Sequence, residues 1–159
     1  MTTTTTAPTA DNPLLQAWDT PYGLPPFGSV QPAHFAPAFA VALAQHRAEI
    51  NAIAHLAESP DFANTLAALD ESGRLLSRIT LLFHNLTASQ TNSELQAVQR
   101  DMAPQLAAHD SATYLNEALF ARIETLKAQR DQLALDAEQN RLLDRVHQDF
   151  TRAGARLGP

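Results

Sequence analysis

Apolar residues return at steps of three and four along most of the chain, the spacing that puts side chains on one face of a helix. Phe35, Phe39, Leu43, Ile50 and Ile53 form the first such stripe, with His46 set into it. Pro37 suits a first turn, where its missing N–H costs nothing, and the helix is predicted to end near Ala57. The next stripe holds Phe62, Leu66, Leu69, Leu76, Ile79, Leu82, Phe83 and Leu86, with Ser59 as N-cap and Pro60 at the first helical position. Gly73 interrupts it at a cost of about 1 kcal/mol relative to alanine; one long helix is preferred over two short ones. Thr91 and Glu94 have capping-box spacing ahead of Leu95, Val98, Met102 and Leu106, and Pro104 is expected to kink or end that helix. Asn116 caps a helix carrying Leu119, Ile123 and Leu126. Asp136, with Gln139 as its return partner, caps the last one, whose stripe is Leu142, Leu143, Val146 and Phe150 and whose stop signal is Gly154.

No segment alternates in the manner of a strand, so the predicted fold class is all-α: an antiparallel bundle of about five helices joined by short connections. Seven of the ten prolines lie at or before Pro37, which makes the early chain extended rather than helical. Leu14, Leu15, Trp18, Tyr22, Leu24 and Phe27 are too many large apolar groups for a free linker. Residues 12–31 are therefore expected to lie across the helices, held by those side chains. Residues 1–11, mostly threonine at their start, are expected to be a disordered leader, and 32–159 the helical domain.

Composition narrows the function classes. With 159 residues the chain suits one domain of ordinary size. Apolar residues at 45% and charged residues at 18% argue against general disorder. The net charge of −6, with no clustered basic patch, argues against a nucleic-acid partner and against an amphipathic membrane binder. There is no cysteine, which removes disulfides and thiolate metal sites. No apolar run approaches the roughly 20 residues that span a bilayer, and no secretory signal opens the chain; a cytoplasmic location is expected.

The chemistry-bearing residues do not assemble into a known motif. The six histidines, His34, His46, His55, His84, His109 and His147, include no His-Glu-x-x-His pair. His46 and His55 are nine apart and fall on opposite sides of one helix. His46 is expected to be a hydrogen-bonded histidine at a core edge, and His84 to pack between helices. Asp110 beside His109, and Asp70 beside Glu71, are sequence neighbours that face different directions. No serine sits in a Gly-x-Ser-x-Gly elbow, and the five glycines form no phosphate loop. No catalytic, cofactor-binding or metal residue is assigned.

The order of short motifs is more informative. Asn12-Pro13-Leu14-Leu15, Trp18, and Thr20-Pro21-Tyr22-Gly23-Leu24-Pro25-Pro26-Phe27 open a series that continues in Pro32-Ala33-His34-Phe35-Ala36-Pro37-Ala38-Phe39 and His46-Arg47-Ala48-Glu49-Ile50. Phe62-Ala63-Asn64-Thr65, Phe83-His84-Asn85-Leu86, Thr91-Asn92-Ser93-Glu94-Leu95 and Asp149-Phe150-Thr151-Arg152-Ala153-Gly154-Ala155 complete it. In this order and spacing the chain resembles the N-terminal part of the peptidyl-dipeptidase Dcp branch of the thimet oligopeptidase-like zinc metallopeptidases. The resemblance implies a larger helical enzyme that releases dipeptides from the C-termini of short peptides inside a channel. It implies zinc held by a His-Glu-x-x-His helix and a later glutamate beyond this stretch, with these helices forming part of the channel wall. No family zinc ligand, general base or substrate-binding residue maps onto a position here. The resemblance thus implies no cofactor in this chain, an inactive segment when isolated, and a missing catalytic domain as its partner. The apolar stripe Leu142, Val146 and Phe150 is the expected docking patch. The competing expectation is a stand-alone helical interaction module that receives a partner helix in an apolar groove.

Overall fold

The computed structural model describes residues 11–155. The leader expected over 1–11 lies outside them apart from Asp11. Every regular element among the described residues is helical, so the all-α reading holds. Helix α1 spans Phe35–Ala54, and a π-helical turn, Phe62–Ala67, runs into the short α2, Ala68–Glu71. Helices α3 (Arg74–Ser89), α4 (Ser93–Tyr114), α5 (Glu117–Ala128) and α6 (Ala137–Arg152) follow. The described chain gathers into two compact units: residues 11–45 with 73–106, and residues 46–72 with 107–155.

The first unit is built on Phe35, Ala38, Phe39, Ala42 and Leu43 of α1, which recur at helical spacing and are all buried. Phe83 of α3 meets Phe35 and Phe39 edge-on, with centroids at 4.9 and 5.5 Å, a geometry that the ring quadrupoles favour. Leu76, Ile79 and Leu82 of α3 and Leu95 and Met102 of α4 close this core. The early chain docks on it through few groups. Leu14 is fully buried, and its side chain contributes about 1.5–3 kcal/mol by leaving water. Asn12, also buried, donates to the His34 carbonyl at 2.8 Å and accepts from the Leu14 N–H at 3.0 Å. Arg78 of α3 donates to the carbonyls of Leu14 and Gln16 and lies 4.5 Å over the Trp18 ring.

The expectation that all six apolar groups of 12–31 hold this segment down is corrected in part. Leu14 is buried and Leu15 and Trp18 are packed on the core, whereas Tyr22 is 99% exposed and Leu24 and Phe27 are each 53% exposed. The physical reason is the turn at Pro21–Gly23: Tyr22 and Gly23 both have positive φ, at 62° and 64°, which turns the chain and points the ring away.

The second unit rests on Ile50, Ile53, Leu66, Leu119, Ile123, Leu126, Leu143 and Phe150. Arg122 is buried within it and holds the turn after α1. Its guanidinium donates to the carbonyls of Leu56 (2.9 Å) and Glu58 (3.0 Å), to Thr65 Oγ1 (3.2 Å) and to Asn64 Oδ1 (2.9 Å). A buried cation is tolerated because its hydrogen bonds replace those it made to water. The α6 stripe belongs to this core: Leu143 and Phe150 are buried, and Leu142 and Val146 pack against them. That corrects the expectation that Leu142, Val146 and Phe150 form an exposed docking patch.

Local signals succeed where the partner is close in sequence. Asn116 Oδ1 accepts from the Leu119 N–H at 2.9 Å, and Asp136 and Gln139 exchange both capping-box bonds. Gly154, at φ 100°, ends α6 with bonds from its N–H to the Thr151 carbonyl and from the Ala155 N–H to the Phe150 carbonyl. Three boundaries differ. Asp61, rather than Ser59, caps its helix, in a reciprocal box with Asn64. Asn92, rather than Thr91, accepts from the Leu95 N–H at 2.8 Å. The predicted long helix is broken at Ser72-Gly73, because Ser72 is extended (ψ 158°) and Gly73 is left-handed (φ 69°). Pro104 does not end α4; it is exposed, so water can satisfy the carbonyl its ring leaves without a donor.

Arg122→Ala should cost roughly 2–4 kcal/mol of unfolding free energy, because it strands buried carbonyls as well as removing donors. Arg122→Lys should recover only part, since an ammonium lacks the fork. Urea unfolding followed by circular dichroism measures both; a loss below about 0.5 kcal/mol for the alanine variant would contradict the assignment.

Candidate functional site

The histidines separate in space much as in sequence, with one exception. His34 accepts from the Gln31 N–H at 3.0 Å and shapes the turn ahead of α1. His55 is exposed and bonded to the Asn51 carbonyl. His84 is exposed, which corrects the expectation that it packs between helices; the buried neighbour on α3 is Phe83. His147 of α6 bonds to Glu124 of α5 and stacks on Phe120, with centroids 5.8 Å apart.

The exception lies in the second unit. His46 of α1 and His109 of α4, 63 residues apart, meet through Nδ1 and Nε2 at 2.9 Å. His46 Nε2 is in turn 3.2 Å from Ser72 Oγ, and that hydroxyl lies 2.7 Å from the Leu69 carbonyl. A carbonyl only accepts, so the Ser72 proton is spent on Leu69. His46 Nε2 must then carry a hydrogen and donate to Ser72, which leaves His46 Nδ1 as acceptor and His109 Nε2–H as donor. The chain of donation runs His109 to His46 to Ser72 to Leu69. His109 Nδ1 is buried and has no partner.

This direction decides what the trio can do. A nucleophilic serine needs the imidazole to take its proton; here the imidazole gives one, and Ser72 is not activated. Burial holds both rings below the usual imidazole range. For His46 this outweighs the raising pull of Glu49 and Asp110. For His109, His46 and Arg47 add to the lowering and Asp110 opposes it.

A cavity of about 300 Å3 opens beside His46, lined also by Asp70, Asp110, Tyr114, Arg145 and Asp149. Aspartates from α2, α4 and α6 thus converge on one face, which their spacing in sequence gave no means of seeing. Among the described residues no three histidines, aspartates or glutamates sit together as a ligand set, and the His46–His109 nitrogens are turned on each other.

In sequence this helical segment is similar to bacterial peptidases. It is 47% identical over 146 residues to the dipeptidyl carboxypeptidase of Salmonella typhimurium, covering 92% of this chain and 22% of that protein. The dipeptidyl carboxypeptidase of Escherichia coli is 43% identical over 94% of the chain and 22% of its own length. Oligopeptidase A of Salmonella typhimurium is 27% identical over 92% of the chain and 21% of its own length. No family model matches. The resemblance read from the motifs is met by these relatives, and the chain spans about a fifth of their length.

Both rings should be neutral with the hydrogen on Nε2 at pH 7.5. Long-range 1H–15N correlation on the labelled chain reads this directly, and an Nδ1–H form at His46 would refute the donation order.

Proposed function

We propose that this chain is a non-catalytic helical segment, the N-terminal part, of a dipeptide-releasing zinc oligopeptidase. The observation that carries this reading is 47% identity over nine-tenths of the chain joined to coverage of only 22% of the relative. The parent's zinc and general base lie in the part these residues do not include. In the parent the helices line the channel that admits short peptides, and the enzyme works in the cytoplasm. No helix of the described residues is long and apolar enough to cross a membrane, which accords with that location.

The first unit supports a docking role. Tyr22 stands almost wholly exposed on a left-handed turn, a conformation that costs an aromatic residue about 1–2 kcal/mol. Strain of this kind is kept where surrounding structure or a partner demands it. Phe27 and the 75% exposed Leu81 line one shallow cavity with Trp18 and Arg78. We assign this apolar surface, and not the α6 stripe, to contact with the rest of the enzyme. The stand-alone interaction module draws on the same surface, and the relatives' greater length favours the peptidase segment over it.

The isolated chain, supplied with zinc and a blocked peptide with a free C-terminus, should release no dipeptide above a protein-free control. Turnover that survives purification and stops on chelation would overturn the proposal. Leu81→Ser should change the stability of the isolated chain by less than about 0.5 kcal/mol, against roughly 2–4 kcal/mol for Leu82→Ser one position on. Equal losses would show that Leu81 serves the fold rather than a partner.

A further inference from the structure

We propose that the His46–His109 pair is an acid-released latch that holds α1 to α4 within the second unit, at the wall of the cavity beside them. The inference does not depend on the peptidase reading. It follows from counting hydrogens. In the donation chain every polar ring position is taken except His109 Nδ1: His46 Nε2–H faces Ser72, His46 Nδ1 accepts, and His109 Nε2–H donates. An incoming proton has one vacant position in the intact network, and that position is buried with no acceptor. A charged ring there would be both desolvated and unsatisfied, two costs that add. Protonating His46 Nδ1 instead breaks the 2.9 Å bond and sets two donors against each other. In the first case the bond survives at the cost of a buried, unsatisfied charge, and in the second it is lost, so either way the first proton weakens the closed state.

The surrounding charges set the direction. Arg47 and Glu49 lie on the same helix as His46, Asp70 comes from α2, Asp110 from α4, and Arg145 and Asp149 from α6. The carboxylates attract a proton toward the pair but none is bonded to His109 Nδ1, so burial prevails and both rings stay neutral while folded. For a histidine whose folded pKa is depressed, the unfolded or opened state binds the proton better. The closed state is therefore fully stable above about pH 6.5 and loses ground as pH falls below it. One proton changes the opening equilibrium by up to about tenfold per pH unit. The opened latch frees α4 from α1 at the wall of the cavity that His46, Ser72 and the aspartates line.

Hydrogen exchange of the whole chain, corrected for the intrinsic pH dependence of exchange, tests this between pH 7.5 and 5. The amides of 107–114 and 46–50 should lose protection by about an order of magnitude or more relative to the first unit's core amides in α3. His109→Gln, which keeps a donor toward His46 but removes the buried His109 proton site, should reduce that pH dependence and leave only the part that His46 carries. If this variant fails to fold, the wild-type imidazole titration decides by itself. Both rings titrating near pH 6.5 with their protection unchanged would overturn the latch, and so would equal pH dependence in wild type and His109→Gln. Titration below pH 6.5 together with loss of protection would support it.

Discussion

The second unit depends on a single buried cation. Arg122 reaches across 66 residues to the Leu56 carbonyl and also binds Glu58, Asn64 and Thr65. It therefore fixes both the exit from α1 and the start of the π-helical turn. All four acceptors are neutral, so the charge is compensated by hydrogen bonds and not by a carboxylate. Such a cluster is stable only when complete, because each missing bond leaves a desolvated group. Asn64 shows the coupling: its Oδ1 receives Arg122, Thr65 and the Asp61 N–H, while its own N–H caps back to Asp61. Moving Arg122 disturbs the cap, the turn and the placement of Leu66 in the core at once. In the first unit Arg78 has a comparable role on a smaller scale, tying the turn at residues 14–16 and the Trp18 ring onto α3.

These clamps explain how a chain with no cysteine, and with no strand among the described residues, holds long irregular connections. They also separate structural polarity from chemical polarity. The His46–His109–Ser72 chain has the residue types of a nucleophilic site but the wrong direction of proton donation. The convergence of three aspartates and Arg145 beside it gives a charged cavity without a metal set. The 43–47% identity to dipeptidyl carboxypeptidases over a fifth of their length is what supports the proposal that this helical segment is one part of a larger protein.

What was legible in the sequence follows from range. The caps at Asn116 and Asp136 and the stop at Gly154 are decided within six residues, so their residues announce them. The helical stripes were legible for the same reason, since Phe35 to Leu43 and Leu119 to Leu126 need only a period. The break at Gly73 was not, because about 1 kcal/mol against a mid-helix glycine does not by itself choose between one helix and two. Pro104 shows the reverse, a helix breaker tolerated at an exposed position. Arg122 read as an ordinary charge on α5, and His46 and His109 as unrelated, because nothing local marks partners more than 50 residues away. The exposure of Tyr22 was likewise hidden, since apolar character says that a side chain prefers burial and not whether its burial is within this chain.

The central claim, that these residues are one part of a larger peptidase, is tested most directly by the mass of the native protein that carries them. An antibody raised against the purified chain should detect, in lysate of the source cell, a species of about 660 residues, the length at which 146 matched residues make 22%. A single stable species of 17.3 kDa would contradict the account and leave the stand-alone interaction module in its place.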